Sequence, residues 1–268
     1  MTESTLRLAA FFGVFAVLAV WEALAPRRDR NQTRRQRWST NLGLSVLNTL
    51  VLRVAFPAAA VGAALWAAQN GWGLFNQLAA PAWLAIVSSI LVLDLAVYGQ
   101  HRLSHAVPWL WRLHRLHHFD LDVDVTTAGR FHPLEILLSM LWKIAVVAAL
   151  GAPPVAVLAF EILLSATAMF SHAQIALPPA VDRSLRIVLV TPDMHRVHHS
   201  IHRDETDSNY GTLVSTWDRL FRSYRAQPRD GHETMVLGIE GYRSPGALSF
   251  TGLLLGPFRR DQAGTSAS

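Results

Sequence analysis

The sequence predicts an all-α fold, in which a polytopic bundle of membrane helices carries a histidine-rich cap. Three observations lead to this class. The apolar fraction of 51% is close to the soluble average, but charge is nearly absent from long stretches and concentrated in a few others. Of the twelve histidines, eleven lie between His101 and His202. The chain has no cysteine, which excludes structural disulfides, cysteine-ligated zinc and iron–sulfur centres.

Three apolar stretches precede the histidines. Residues 6–25 are about one bilayer long and lack the polar region before a cleavage site that a signal peptide has, so we expect an uncleaved anchor. Residues 41–69 are interrupted by polar residues and by Pro57, which predicts a kinked or partly interfacial helix followed by a span. Residues 79–100 form the third predicted span.

Two further apolar runs, residues 134–150 and 154–170, are joined by Gly-Ala-Pro-Pro, a natural turn for a helical hairpin. The loop at residues 27–37 has six arginines against one aspartate, so the positive-inside rule places it in the cytoplasm. The uncharged connection at residues 69–79 is then external. Counting the crossings brings both histidine-rich segments to the cytoplasmic side. Since the basic residues lie beside apolar spans, we expect membrane headgroups rather than nucleic acid as their partner.

Three histidine motifs with helical spacing follow the third span. Its helix is expected to continue past the membrane surface until Pro108 and to carry the first motif. Residues three or four apart share a helix face and lie about 5–6 Å apart, so each motif directs several imidazoles to one point. The motifs are HRLSH (His101, His105), HRLHH (His114, His117, His118) and HRVHH (His195, His198, His199).

Imidazole is a ligand suited to iron, zinc, copper or nickel. Eight histidines are too many for one tetrahedral zinc, so the motifs predict a site for two metals. The zinc-protease motif HExxH is absent from the sequence. The predicted fold is therefore an all-α polytopic membrane helical bundle, with a cytoplasmic histidine-rich cap that holds a di-metal site.

The order of these motifs resembles the fatty acid hydroxylase/sterol desaturase superfamily of integral-membrane, histidine-ligated di-iron enzymes. The resemblance covers residues 94–224, roughly half of the chain. It includes DLAVYGQHRLSH, WLWRLHRLHH, RFHPLE, SHAQ, TPDMHRVHHS, ETDSNYG and WDRLF in the family's order. Where many relatives have an asparagine two residues after the histidine that corresponds to His172, this chain has Gln174.

The resemblance implies a membrane enzyme that activates O2 at two iron ions and hydroxylates or desaturates a C–H bond of a lipid, which is a fatty acyl, sterol or other isoprenoid group. We recognise no haem- or flavin-binding segment, so electrons are expected from a separate ferredoxin- or cytochrome-type donor. His202 is open to a ligand role or a supporting role, while His132 is expected to cap the next helix. The implied ligands are His101, His105, His114, His117, His118, His172, His195, His198, His199 and His202.

Asp94 and Asn209 are candidates for a supporting role at the site. An acid inside a predicted span is costly, so Asp94 is expected to accept an N–H from a ligand histidine; pairing with an arginine is the alternative. Asn209, with Asp207 and Tyr210, belongs to ETDSNYG, which either supports the last motif or forms an ordinary turn.

Two other functions remain open from the sequence. One is a membrane metallohydrolase, which iron content and O2-dependent turnover would distinguish from an oxygenase. The other is a non-enzymatic metal carrier. The spans contain almost no histidine with which to pass an ion, and this speaks against a carrier.

We expect three regions along the chain. Residues 1–80 are an N-terminal transmembrane or anchor region with the basic loop, residues 81–226 are catalytic, and residues 227–268 are a partly interfacial extension with a disordered tail.

Overall fold

The computed structural model describes residues 2–78 and 80–259. Within these ranges the regular secondary structure is helical, and strand-like pairing is limited to three isolated bridges, so the predicted all-α class is confirmed. Residue 79, where the third span was predicted to begin, and the tail predicted to be disordered lie outside the described residues.

Eight helices lead up to and through the first two histidine motifs and the mid-chain histidine: α1 Glu3–Leu24, α2 Arg34–Ala55, α3 Ala59–Gln69, α4 Leu74–Gln77, α5 Ala82–Ala106, α6 Pro108–His118, α7 Pro133–Leu150 and α8 Pro154–His172. Shorter helices follow: α9 Pro179–Leu185, α10 Pro192–His198, α11 Arg203–Thr206, α12 Thr216–Leu220, α13 Pro245–Leu248 and α14 Phe250–Leu255. Short 3₁₀ helices cover Val125–Gly129 and Gly256–Phe258.

Five stretches of the described chain are long and apolar enough to cross a bilayer. They are α1, the run from Arg34 to Gln77, α5, α7 and α8. Large apolar side chains cover their outer surfaces; Leu24 is 80% exposed and Val54 is 83% exposed. Such surfaces are expected where helices contact lipid rather than water. The protein is therefore a multi-pass membrane protein.

Prolines end the helices where the sequence indicates. α2 ends before Pro57 and α3 begins two residues after it, which confirms the predicted interruption. α5 continues through both histidines of the first motif and ends at Ala106, and Pro108 is the first residue of α6. Because Pro108 removes an N–H only from the first turn of the new helix, it fits there without loss of a hydrogen bond.

The predicted hairpin of α7 and α8 forms, but it is open. α7 ends at Gly151 in the left-handed conformation, with φ 59°, and Pro154 starts α8. α7 then packs mainly against α2, α3 and α5, whereas α8 packs mainly against α1, α5 and the 3₁₀ helix Val125–Gly129. The two helices diverge and leave space between them.

A buried ion network joins the N-terminal region to the segment that follows α6. Arg37 of α2 donates from Nε and Nη2 to the two carboxylate oxygens of Asp120, each at 2.8 Å, and from Nη1 to Asp124 at 2.6 Å. Arg37, Asp120 and Asp124 are almost fully buried. Burial alone would raise the pKa of Asp120, but Arg37 and Arg130 outweigh it and hold that pKa below its usual value. The network fixes the first residues after the HRLHH motif.

Candidate metal centre

The last turns of four helices converge at the centre of the histidine-rich region. They are the C-terminal ends of α5, α6, α8 and α10, and each of these last turns contains at least one histidine. The C-terminus of a helix carries a partial negative charge from its unpaired carbonyl groups. Four such ends directed at one point favour a bound cation there.

Two adjacent groups of histidines form at this point. Within each group, one ligand atom per residue lies within 4.8 Å of the others. The ring centroids of His118 and His199, which belong to different groups, are 4.6 Å apart. The five-histidine group consists of His101, His105, His114, His118 and His198, and the four-histidine group consists of His117, His172, His195 and His199.

Backbone carbonyl and carboxylate oxygens accept hydrogen bonds from Nδ1 in six of the nine rings. When Nδ1 carries the proton and donates it, the lone pair of Nε2 is left free for a metal. The Nδ1 contacts are His101 to the Tyr210 carbonyl (2.7 Å), His105 to Asp207 (3.1 Å), His114 to Glu135 (2.6 Å), His117 to the Arg130 carbonyl (3.3 Å), His172 to the Ala168 carbonyl (2.7 Å) and His198 to the Ser208 carbonyl (2.7 Å).

Several Nε2 atoms have no ordinary hydrogen-bond partners, and this observation tests whether a metal fits the site. The Nε2 atoms of His101, His105 and His198 are buried and form no hydrogen bond within the described part of the chain. The Nε2 atoms of His117 and His172 lie 3.0 Å apart. Because both rings use Nδ1 as the donor, these two atoms are both acceptors and repel each other. A cation between them would turn this repulsion into coordination, so the residues fit a metal.

The protonation state of the rings also suits a metal. Burial, and after it the neighbouring imidazoles, lowers the pKa of His118 and His199 well below the usual value. The same two causes lower the pKa of His198 to about 3. Neutral imidazole, the form that coordinates metals, is therefore the resting state of these rings.

The ETDSNYG segment supports the site directly. Asp207, Ser208 and Tyr210 each accept an Nδ1–H from a histidine of the five-histidine group. Asn209 adopts a left-handed backbone conformation (φ 51°), and its side chain donates to the carbonyl oxygens of Met194 at 2.9 Å and of Arg225 at 2.8 Å. The segment is thereby fastened to α10, which carries the last histidine motif.

Asp94 has a different partner from the one predicted. Its Oδ2 accepts from the indole N–H of Trp217 at 2.7 Å and from the backbone N–H of Val214 at 3.1 Å, and no histidine of the described chain contacts it. Asp94 lies seven residues before His101, about 10 Å along α5. At that distance Asp94 does not reach an imidazole, and it instead binds the segment that contains Val214 and Trp217.

Three other side chains are placed as follows. His202 lies outside both groups, and its Nε2 contacts Asp230 at 2.8 Å. Gln174 is turned towards Arg30, which donates to its side-chain oxygen at 3.2 Å. His132 caps α7 by accepting from the backbone N–H of Leu134, which confirms its predicted role.

Sequence reasoning did not single out Glu135 and Ser208 as supporting residues. Glu135 lies inside the quoted RFHPLE motif, and its position in the first turn of a predicted helix was the available signal. Ser208 contributes only its backbone carbonyl to His198, so its side chain gave no signal.

A cavity of about 910 Å³ opens from the histidines into the space beside α7 and α8. Its walls are largely apolar and come from α2, α3, α5, α7 and α8. The histidines that line one end are His101, His114, His117, His172 and His195.

The fold and the site define a class of protein. It is a multi-pass helical membrane protein with a buried polyhistidine site at the end of an apolar cavity. The family model of the fatty acid hydroxylases matches residues 86–223, and the chain belongs to this family. The resemblance drawn from the motifs is confirmed.

Several characterised proteins are similar to this chain. The ornithine lipid hydroxylase OlsE of Rhizobium tropici is 26% identical over 258 residues, which cover 93% of this chain and 75% of that protein. The alkylglycerol monooxygenase of Homo sapiens is 32% identical over 155 residues, which cover 57% of this chain and 32% of that protein. The cholesterol 25-hydroxylase of Rattus norvegicus is 23% identical over 146 residues, which cover 53% and 47%. No solved structure matches the chain.

Proposed function

We propose that the protein is a membrane-bound, O2-dependent lipid hydroxylase that uses two iron ions and a separate electron donor. The observation that carries this proposal is the convergence of nine histidines, in two groups, at the end of a cavity of about 910 Å³. The relatives named above support the reaction type, since all three are named as hydroxylases or monooxygenases and the substrates in their names are lipids or sterols.

Each histidine group would hold one iron. Neutral nitrogen ligands are compatible with iron, and the resemblance to di-iron enzymes favours it over zinc. When bound, the iron pair supplies the ability to activate O2 for attack on an unactivated C–H bond. In the overall reaction one oxygen atom enters the C–H bond and the other leaves as water. This consumes two electrons and two protons, which the separate donor and the solvent provide.

The chain's own residues orient the ligands and exclude water. Phe131 stacks on the ring of His117 with centroids 4.5 Å apart and planes 6° apart, which fixes the plane of that imidazole. Tyr210 and Glu135 fix the rotation of two further rings through their Nδ1 atoms. The apolar walls of the cavity bring a hydrocarbon chain to the open end of the histidine site and keep bulk water from the reacting carbon.

We also propose that the histidines lie on the cytoplasmic side. Arg27 of the basic loop pairs with Asp193 at 3.2 Å, two residues before His195, and Arg28 donates to the carbonyl of Met235 at 2.8 Å. The loop and the histidine site are therefore on one side of the bundle, and the positive-inside rule assigns that side to the cytoplasm. The division at residues 80 and 226 stays a proposal; the family match to residues 86–223 supports the central region.

The test is metal content together with turnover. Protein purified from iron-replete cells should hold about two irons per chain and consume O2 only with a reductant and a lipid. Mass spectrometry should find the product heavier by one oxygen atom, and ¹⁸O2 should label it. Stoichiometric zinc with full activity, or turnover without O2, would instead favour the metallohydrolase. A product lighter by two hydrogens would identify a desaturase.

A further inference from the structure

The cavity ends, away from the histidines, in a set of charged side chains that we call the charged end. In α8, Glu161 lies eleven residues before His172, about 16 Å along the helix axis. In α7, Lys143 lies eight residues after Glu135, about 12 Å along the axis. The members of the charged end are Glu3, Arg7, Arg53, Lys143 and Glu161.

Ion pairs connect three helices across this end of the cavity. Lys143 of α7 donates to Glu161 of α8 at 2.8 Å, and Arg7 of α1 donates to the other oxygen of Glu161 at 2.6 Å. Arg7 also pairs with Glu3 at 2.9 Å. Glu161 is only 10% exposed. Its two cations compensate for the cost of burying a carboxylate inside a span.

The cations at the charged end have donors to spare. A guanidinium has five N–H donors, and only Nε and Nη2 of Arg7 are used in the pairs with Glu3 and Glu161. Arg53 forms no ion pair within residues 2–78 and 80–259, although it lies inside the apolar run from Arg34 to Gln77. The charged end therefore has three cations for two carboxylates, and its surplus positive charge faces the cavity.

A purely structural role does not explain this surplus. Tying α1, α7 and α8 together requires only Glu161 and its two partners. Arg53 lies in the last turn of α2 and lines the cavity without an ion pair in the described chain, so a bound anion there would be its partner. An acidic group of a bound molecule would satisfy Arg53 and the spare donors of Arg7 and Lys143.

We propose that the charged end binds the headgroup of the lipid substrate through an acidic group, a phosphate or a carboxylate. The hydrocarbon chain then runs along the apolar walls to the histidines, over a distance that an acyl chain of medium length spans. This inference rests on the proposed function, because the bound molecule is taken to be the lipid that the histidine site oxidises. The volume of about 910 Å³ is within the usual range of ligand pockets.

Binding without turnover tests the proposal. The full-length protein, purified in detergent and kept without reductant, is titrated with radiolabelled phosphatidic acid, with the matching fatty acid and with the diacylglycerol that has the same chains. The wild type should bind at least one acidic probe about tenfold more tightly than the uncharged diacylglycerol. The stronger of the two acidic probes identifies the phosphate or the carboxylate.

Arg53→Gln should abolish that preference, so that the acidic and uncharged probes bind within about threefold of each other. Because Arg53 is exposed and has no ion pair in the described chain, this change should not disturb folding. Arg35→Gln is the matched control, since Arg35 is an exposed arginine of the same helix outside the cavity. It should retain the wild-type preference.

Equal binding of all three probes by the wild type would overturn the headgroup site, and so would an unchanged preference in Arg53→Gln. An equal loss of preference in Arg35→Gln would do the same, because it would show a general effect of surface charge. These results do not depend on iron or O2. A preserved headgroup preference in a protein without O2-dependent turnover would keep the site and refute only the oxygenase.

Discussion

Replacing Glu135 with glutamine should weaken metal binding in the five-histidine group. Glu135 accepts from Nδ1 of His114 at 2.6 Å, a short contact typical of a charge-assisted hydrogen bond. Such a bond contributes about 1.5–3 kcal/mol, and removing a carboxylate partner of a ligand histidine typically costs about 10–100-fold in metal affinity. Glutamine keeps an acceptor oxygen but removes the negative charge that strengthens the hydrogen bond to Nδ1 of His114. We therefore expect a loss of about tenfold or more.

The assay is competition of the iron-loaded protein with a chelator of known affinity, followed by the iron spectrum. Glu135→Gln should lose iron at a lower chelator concentration than the wild type, and the two iron signals should change unequally. Glu240→Gln is the control, because Glu240 is exposed and belongs to neither histidine group. If Glu135→Gln retained both irons as tightly as the control, a supporting role for the carboxylate would be refuted.

Three further predictions concern the shared site, the topology and the buried ion network. His117→Ala and His198→Ala should each bring activity to background and perturb both irons. The double variant should be little worse than either single variant, because residues that act as a unit are strongly non-additive. One unaltered iron with substantial turnover in either variant would contradict the shared site. Reporter fusions after Gly129 should read cytoplasmic and those near Asn76 external, whereas a cytoplasmic result at Asn76 would undo the crossing count. Arg37→Met should lower the free energy of unfolding by about 3–5 kcal/mol, because it leaves the buried carboxylates of Asp120 and Asp124 without their cation. The control is Arg35→Met. If both variants had the same thermal unfolding midpoint in detergent, the ion pairs of Arg37 would contribute little.

Local features of the structure could be predicted from the sequence because each depends on a few neighbouring residues. Pro57 and Pro108 end or start helices through the missing N–H, whatever the tertiary context. The apolar runs are long enough to span a bilayer by composition alone. The cap formed by His132 follows from its place just before a proline-initiated helix.

The features that were not predicted depend on contacts between distant segments. The pair of Lys143 and Glu161 bridges two diverging helices that the sequence predicted as a simple hairpin. Arg37 was interpreted only as part of a topology signal, but its partners follow it by more than eighty residues. The partner of Asp94 was predicted wrongly. Helical spacing gives its distance to His101, but it cannot show that the distant segment containing Trp217 packs against Asp94.

The two HxxHH motifs are divided between the metal groups in a regular way. In every motif the histidines four residues apart belong to one group: His101 with His105, His114 with His118, and His195 with His199. The histidine three residues after the start of an HxxHH motif belongs to the other group, so HRLHH gives His117 to the four-histidine group and HRVHH gives His198 to the five-histidine group.

This division follows from helix geometry. Residues four apart are turned by about 40° and residues three apart by about 60° in the opposite sense, so the middle histidine points to the other side of the helix face. Each HxxHH motif is thus shared between both groups, and neither group is complete without the histidines of both HxxHH motifs. A chain with this pattern cannot form the two sites independently. The repeat of HxxHH would therefore couple the two metals into one centre in the proposed enzyme.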